Sequence, residues 1–156
     1  MKKFGAVLIP ILLLIGCTSA PEEKTTLEVV KVETELPADV QIEEEVDIRT
    51  HVTQWDENVE DAKEVQIEIW NVEEGKENSE LIDAEHNGDG IYEVKYSFEK
   101  KGIYRIQSHV TARDMHVMPT KQLVVGDLTQ EQIDEILGSV ESAEEESDHE
   151  GSGHHH

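Results

Sequence analysis

One stretch of the chain concentrates side chains that bind metal ions. The segment "HVTARDMHVMP", residues 109–119, holds two histidines and two of the three methionines in the sequence. Imidazole nitrogen suits copper and zinc, and the thioether sulfur of methionine favours Cu(I) over harder cations. The segment therefore either binds a soft metal ion or supplies core residues to an ordinary pair of strands.

The alternation of polar and apolar residues favours the outer surface of a sheet for three of these four side chains. In the segment 103–113, His109 has the parity opposite to that of the apolar residues and points away from the core. In the segment 116–125, His116 and Met118 have the outward parity as well. Core filling is thus a poor explanation for these three residues.

A hairpin that turns at residues 113–114 would bring the three side chains together. His109 would then lie opposite Met118 and diagonal to His116, with about 5–8 Å between the side chains. A register slip of one residue would expose the core set, so it is disfavoured. The predicted metal ligands are His109, His116 and Met118, with Met115 beside the turn as a fourth candidate.

The segment 64–72 adds two supporting candidates. Its outward positions include Glu68 and Trp70, and in the usual order of a sandwich this strand neighbours the one that carries His109. Trp70 would either cover a Cu(I) ion through a cation–π contact or pack under a loop. The histidines have an alternative too, since each could bond only to Thr111 or to backbone groups.

The elements that must position this hairpin are short alternating segments separated by turn signals such as "NGDG" and "KKG". This pattern predicts an all-β protein, an immunoglobulin-like antiparallel β-sandwich of about seven strands. Tyr104, just after a glycine, is either a corner tyrosine or a core residue. The predicted strands are 27–36, 45–54, 64–72, 80–86, 91–99, 103–113 and 116–125.

The C-terminal part changes to a helical period. Thr129 and Gln132 fit a capping box, and an apolar stripe follows at helical spacing. A short amphipathic helix is predicted over 127–140, packed on the sandwich or, less simply, binding a partner. Residues 141–156 are predicted to be a disordered acidic tail, whose histidines either chelate metals loosely or remain from an expression tag. The stripe consists of Ile133, Ile136, Leu137 and Val140.

The N-terminus resembles an export signal. Two lysines precede an apolar run over 4–15, and "LIGC" ends at Cys17, the only cysteine of the chain. This motif is typical of a bacterial lipoprotein, so residues 1–16 are predicted to be a signal peptide and Cys17 the lipidated residue. Residues 17–26 would form a tether to the membrane, and the protein would lie on its extracytoplasmic side.

The charge narrows the function classes. The chain has 36 acidic and 13 basic residues, a formal net charge of −23. Such a surface repels nucleic acid, because phosphate binding rests on clustered lysine and arginine. The sequence also has no nucleophile beside a plausible base and no phosphate-binding loop, so an enzyme is not predicted.

Three segments carry a resemblance to a family. "VTQWDENVEDAKEVQIEIW", "DGIYEVKYSFEKKGIYRIQSHV" and "TARDMHVMP" resemble the YtkA-like lipoproteins of Bacillus-type bacteria, which are distantly similar to FixH. The resemblance covers roughly residues 27–126 and implies an immunoglobulin-like domain outside the cytoplasmic membrane. FixH-type proteins are associated with copper supply to haem–copper oxidases, which implies copper as the ion.

Two hypotheses follow from the sequence. The first is a lipid-anchored copper-binding protein, a chaperone that passes Cu(I) to an oxidase subunit or receives it from a copper transporter. The second is a metal-free interaction module that docks on a membrane complex or on the cell wall through its acidic surface and its helix.

Overall fold

The computed structural model describes the backbone of residues 28–149 and the side chains of residues 28–143. The predicted signal peptide, Cys17 and the tether lie outside the described residues, as does the end of the predicted tail. The strands in chain order are β1 (Lys31–Glu35), β2 (Glu45–Gln54), β3 (Glu57–Asn58), β4 (Glu64–Asn71), β5 (Glu80–Asp83), β6 (Glu85–Gly88), β7 (Ile91–Ser97), β8 (Gly102–Ala112), β9 (Met115–Val117) and β10 (Thr120–Val125).

These strands form two antiparallel sheets packed face to face. Sheet I has the order β1-β2-β7-β6, with β3 paired to β2. Sheet II has the order β10-β8-β4-β5, with β9 paired to β8. Alternating burial along β2, β4 and β8 shows one face of each sheet turned to a shared core. The predicted all-β sandwich is confirmed, and the predicted neighbours β4 and β8 are paired.

Two of the seven predicted segments are each divided in the structure. The segment 80–86 leaves sheet II after β5 and joins sheet I as β6, and at the crossing the Ala84 amide donates to the carbonyl of Val65 at 2.9 Å. The segment 116–125 is divided at Pro119, which has no N–H to give to a ladder. The Ser108 amide still donates to the Pro119 carbonyl at 3.0 Å, so the chain stays beside β8.

The core between the sheets contains one small polar cluster. The Ser108 hydroxyl of β8 lies 2.7 Å from the Thr34 hydroxyl of β1 and 3.1 Å from the Thr50 hydroxyl of β2. All three residues are buried, and the bonds join sheet II to sheet I. Tyr104 has the features of both predicted alternatives, since its hydroxyl donates to the Lys100 carbonyl at 2.9 Å and its ring belongs to the buried core.

The helix α1 (Gln130–His149) begins where its capping box predicts. The Thr129 amide donates to the Gln132 side chain at 3.0 Å, and the Gln132 amide donates to the Thr129 hydroxyl at 3.3 Å. The helix continues to His149 rather than ending at Val140, because alanine and glutamate propagate a helix without any apolar stripe. Within the described residues, no helix is long and apolar enough to cross a bilayer.

The apolar stripe of α1 faces the sandwich. All four stripe residues are half-buried. Ile136 lines a groove with Gly102, and Leu137 and Val140 line another with Trp70. The helix therefore covers the part of sheet II that lies farthest from the turn at residues 113–114.

Candidate metal centre

A tight turn sets the register of the hairpin formed by β8 and β9. Arg113 and Asp114 have φ values of 51° and 60°, as a two-residue turn with both central residues in the left-handed region requires. Ala112 pairs with Met115, and Thr111 pairs with His116. This is the turn and the register that the sequence predicts.

The register places His109 opposite Met118. Val110 pairs with Val117 on one side of this position, and Gln107 pairs with Thr120 on the other, in the same register. The ladder is therefore continuous in register across Pro119. His109, His116 and Met118 lie on the outer face of sheet II, and together they are called the His-Met patch below.

His109 is held by a carboxylate from the neighbouring strand. Its Nε2 lies 2.8 Å from Oε2 of Glu68, and their side chains are 20% and 12% exposed. This contact fixes the ring and leaves Nδ1 for another partner. Glu68 is thus a supporting neighbour of His109, as its position in the sequence predicts.

His116 is more exposed and is held on the other ring nitrogen. Its Nδ1 lies 2.9 Å from the hydroxyl of Thr111, which leaves Nε2 toward solvent or a ligand. The ring centres of His109 and His116 are 6.1 Å apart, with 43° between the ring planes. The predicted bond to Thr111 is present for His116, whereas His109 bonds to Glu68.

The patch fits a small soft cation better than it fits a hard one. A nitrogen bonds a metal ion at about 2.0–2.1 Å, which puts two imidazole centres that share one ion roughly 5–6.5 Å apart. Met118, with 49% of its surface exposed, would supply a third, thioether donor. Among the side chains of residues 28–143, no three drawn from His, Cys, Asp and Glu converge as a metal site.

Glu68 is the centre of a polar network that sequence reasoning missed in part. Its Oε1 accepts from the Ser79 hydroxyl at 2.7 Å, and its Oε2 lies 3.2 Å from Nζ of Lys76. Burial alone would raise the pKa of Glu68, but the bonds from Ser79, His109 and Lys76 outweigh it and hold the pKa below its usual value. Ser79 and Lys76 lie in the loop between β4 and β5, where no periodic pattern marks them.

Trp70 lies apart from the His-Met patch. It pairs with Arg105, which is four residues before His109 on β8 and therefore roughly 13 Å away along the strand. Nζ of Lys76 sits 4.9 Å from the centre of the Trp70 ring. The predicted alternative of packing under a loop is the one that the structure shows, and Trp70 does not cover the patch.

Met115 also lies apart from the patch. It has the parity of Val117, is half-buried, and packs against the core cluster that contains Val110. Its side chain takes the core side of the hairpin, so the structure does not bring Met115 together with the three residues of the His-Met patch, and its role as a fourth ligand stays a prediction.

The other described histidines have partners on sheet I. Nε2 of His51 lies 2.9 Å from the Asn58 side-chain oxygen. His86 stacks on Tyr92 at 4.6 Å between ring centres and lies 2.9 Å from a carboxylate oxygen of Glu60. Neither belongs to the outer face of sheet II, and the histidines of the tail beyond His149 fall outside the described residues.

Comparison with solved structures gives one match, to an engineered protein, that supports the fold. An engineered protein from the Northeast Structural Genomics Consortium is 16% identical, with a TM-score of 0.51 over 64% of this chain. An endo-β-1,4-mannanase from Thermotoga petrophila is 15% identical over 67% of this chain, with a TM-score of 0.49. A superoxide reductase (neelaredoxin) from Ignicoccus hospitalis is 13% identical over 62% of this chain, with a TM-score of 0.44.

The share of each neighbour that is covered differs. This chain spans 20% of the engineered protein, 21% of the mannanase and 82% of the superoxide reductase. At 16% identity the likeness to the engineered protein concerns the fold alone. A search of curated protein sequences found no match.

Comparison with family models gives a direct result. The YtkA-like model matches residues 23–109, more than half of the chain. The match includes Glu68 and ends at His109, so His116 and Met118 come just after it. With its sandwich, its paired strands β4 and β8 and this match, the chain belongs to the YtkA-like family.

Proposed function

We propose that this protein binds Cu(I) through the His-Met patch on the outside of the cytoplasmic membrane, where lipid on Cys17 anchors it. One observation carries the proposal: His109 and His116 lie 6.1 Å apart at their ring centres, each with one nitrogen already held by a neighbour. The second nitrogen of each ring and the sulfur of Met118 then form a donor set of two nitrogens and one soft sulfur.

Glu68 supports the proposed role of His109 as a metal ligand by bonding to its other ring nitrogen. Histidines that bind metals usually give their other ring N–H to a carboxylate, which fixes the tautomer and strengthens the ligand. Glu68 stands in that position on Nε2 of His109. Its ionised form, which the hydrogen bonds from three neighbours favour, is the form that accepts this proton.

The proposed biological role is delivery of copper during assembly of haem–copper oxidases. The lipoprotein motif at Cys17 and membership of the YtkA-like family favour a place at the membrane, where such oxidases are assembled. The partner would be an oxidase subunit or a copper transporter. An exposed site of few ligands also favours passing an ion on over storing it, because a partner can approach His116 and Met118 directly.

A competition titration with a Cu(I) chelator tests the site. The soluble segment 25–143 contains every strand and lacks the histidines of the tail. We expect this segment to bind one Cu(I) ion with a dissociation constant below the micromolar range. The double variant His109→Ala, His116→Ala should lose this binding. Equal affinity in the two proteins, or only micromolar binding, would end the proposal.

A matched control separates a specific site from general histidine chemistry. His51→Ala removes an imidazole from sheet I, where its Nε2 bonds to the side chain of Asn58 and lies outside the His-Met patch. We expect this variant to bind Cu(I) as the parent does.

The metal-free interaction module is the weaker candidate. It depends on apolar surface offered by α1, yet the stripe residues of the helix already face sheet II and are half-buried. A pull-down in which truncation of residues 127–156 abolished capture of a membrane complex, with His109 dispensable, would favour it over copper binding.

A further inference from the structure

The described chain begins at one particular end of the sandwich. The side-chain amide of Gln54, at the end of β2, donates to the Glu28 carbonyl at 2.8 Å, and Lys31 pairs with Thr53. The turn that follows β2, at Trp55, therefore lies beside the point where the chain arrives from Cys17.

The length of the connecting segment limits the distance between this end and Cys17. Residues 17–27 are eleven positions, and even a fully extended chain of that length reaches at most about 40 Å. The ten-residue strand β2 alone is roughly 33 Å long. The chain from Cys17 therefore joins the sandwich at the end that carries Trp55, and the opposite end lies a strand length away from this junction.

Trp55 occupies a conformation that rarely suits a bulky residue. Trp55 and Asp56 form the turn between β2 and β3, with φ values of 56° and 60°. Turns of this kind favour asparagine and glycine, and a bulky residue at positive φ is an outlier. Trp55 is also 56% exposed, so packing inside the domain does not account for its presence. Strained residues of this kind are most often retained where they serve a function.

Tryptophan has a marked preference for the boundary between lipid and water, where its ring meets the acyl chains and its N–H stays hydrated. We propose that Trp55 inserts into the surface of the membrane that holds Cys17 and so fixes the orientation of the domain. This inference rests on the lipid anchor of the proposed function, and it adds a second contact and a defined end of the sandwich to it.

The same orientation places the His-Met patch toward the membrane. Val30, near the start of the described chain, belongs to one core cluster with Val110 and Ala112, and that cluster lies under the turn at residues 113–114. The patch begins at this turn. The partner that exchanges copper with it would accordingly be a protein embedded in the membrane, approached at the level of the lipid surface.

Charge sets a condition on this contact. Lys31 lies 3.5 Å from Asp56, but Asp56 and Glu57 directly follow Trp55, and the whole chain is strongly negative. Anionic lipid would repel this end, whereas neutral lipid would not. We therefore expect the contact to be strongest on phosphatidylcholine vesicles and weaker on vesicles rich in phosphatidylglycerol, with the difference reduced by salt.

Fluorescence of the two tryptophans tests the orientation in the full lipidated chain. Trp70→Phe leaves Trp55 as the reporter, and Trp55→Phe leaves Trp70, which lies on sheet II under Lys76. Both variants are placed on phosphatidylcholine vesicles with bromine on acyl carbons near the headgroup. We expect quenching and a blue shift for Trp55 and no change for Trp70. Absence of quenching at Trp55, or equal quenching at both residues, would overturn the inference.

A third variant separates contact from folding. Trp55→Asn puts a preferred residue at the strained turn, so we expect a higher melting temperature together with faster removal of the domain from vesicles by washing or protease. A lower melting temperature with unchanged vesicle contact would contradict the inference.

Failure of this inference can be distinguished from failure of the proposed copper binding. Absence of acyl chains on Cys17 by mass spectrometry would remove the anchor and the orientation but leave the copper titration of the soluble segment as it stands. Acylation without quenching would remove only the orientation.

Discussion

Two polar clusters lie back to back on the two faces of β8. Ser108 points inward to Thr34 and Thr50, and its neighbour His109 points outward to Glu68. The inner cluster consists of neutral hydroxyls that are fully buried and satisfy one another. The outer one contains ionisable groups, and its histidines each retain an uncommitted nitrogen.

The two faces of this one strand therefore serve different roles: the inner face stabilises the sandwich, and the outer face carries groups that can bind a ligand. A buried polar group costs stability unless it is hydrogen-bonded, so a closed cluster in the core serves to fix which strands face each other across the sandwich. An outer cluster faces water and can leave capacity for a ligand at little cost. The inner cluster should thus control stability, and the outer one should control binding.

Removal of the shared hydroxyl should give the largest effect. Ser108→Ala leaves the hydroxyls of Thr34 and Thr50 without their common partner in the core, which should cost about 1–3 kcal/mol in the free energy of unfolding. Urea unfolding followed by circular dichroism measures it. Copper affinity should stay unchanged, because His109 keeps its own contacts.

The triple variant Thr34→Val, Thr50→Val, Ser108→Ala is the companion measurement. Since all partners are then apolar and of similar shape, most of the lost stability should return. Equal or greater loss in the triple variant would show that the hydroxyls matter for more than mutual satisfaction.

Neutralisation of the carboxylate behind His109 should weaken copper binding with little effect on folding. Glu68→Gln keeps the shape but loses the charge, and changes of this kind typically lower metal affinity about 10- to 100-fold. A Cu(I) competition titration measures it. Glu64→Gln, on the same face of β4 and exposed, is the matched control and should bind as the parent does.

The two methionines of the hairpin should behave differently. Met118→Leu should lower Cu(I) affinity, because it removes the thioether on the outer face. Met115→Leu should leave affinity unchanged, because Met115 packs toward the core, where a swap of similar volume is tolerated. A reversed result in the same titration would mean that the hairpin presents its other side to the ion.

The smallest effect concerns stability at acid pH. The pKa of Glu68 in the folded protein lies below its ordinary value of 4.5, so the ionised carboxylate stabilises the fold above that pH. This contribution is lost as the pH falls through the lowered pKa. The difference in melting temperature between the parent and Glu68→Gln should therefore be constant above about pH 5 and shrink below it. A difference that grows on acidification would contradict the assignment.

Local sequence was sufficient to predict most of this arrangement. The parity of residues fixed the faces of β4 and β8, and a two-residue turn at Arg113 and Asp114 fixed the register, so the outer-face positions of the patch could be predicted. The capping box of α1 is equally local. Whether the patch binds copper remains a prediction.

Contacts that depend on loops and on crossings between sheets could not be predicted in the same way. Lys76 and Ser79 reach Glu68 from a loop whose path depends on β5, and the chain changes sheets at Ala84 without any marked sequence signal. The orientation of Met115, in contrast, could have been predicted from the sequence. Met115 has the same parity as Val117 and therefore the core side, although its position next to the turn drew attention to it as a ligand. The extra length of α1 came from helix propensity where apolar periodicity had ended.

The division of the edge strand at Pro119 affects whether two copies of this protein can associate through their sheets. Proteins tethered to one membrane meet each other far more often than the same number in solution, and an unbroken edge strand invites a second copy to extend the sheet. Here the edge of sheet II consists of three residues in β9 and six in β10, with a proline between them that cannot donate. The opposite edge, β5, has four residues. If lipid on Cys17 holds the protein to a membrane, as proposed, we therefore expect neighbouring copies not to join through the edges of sheet II.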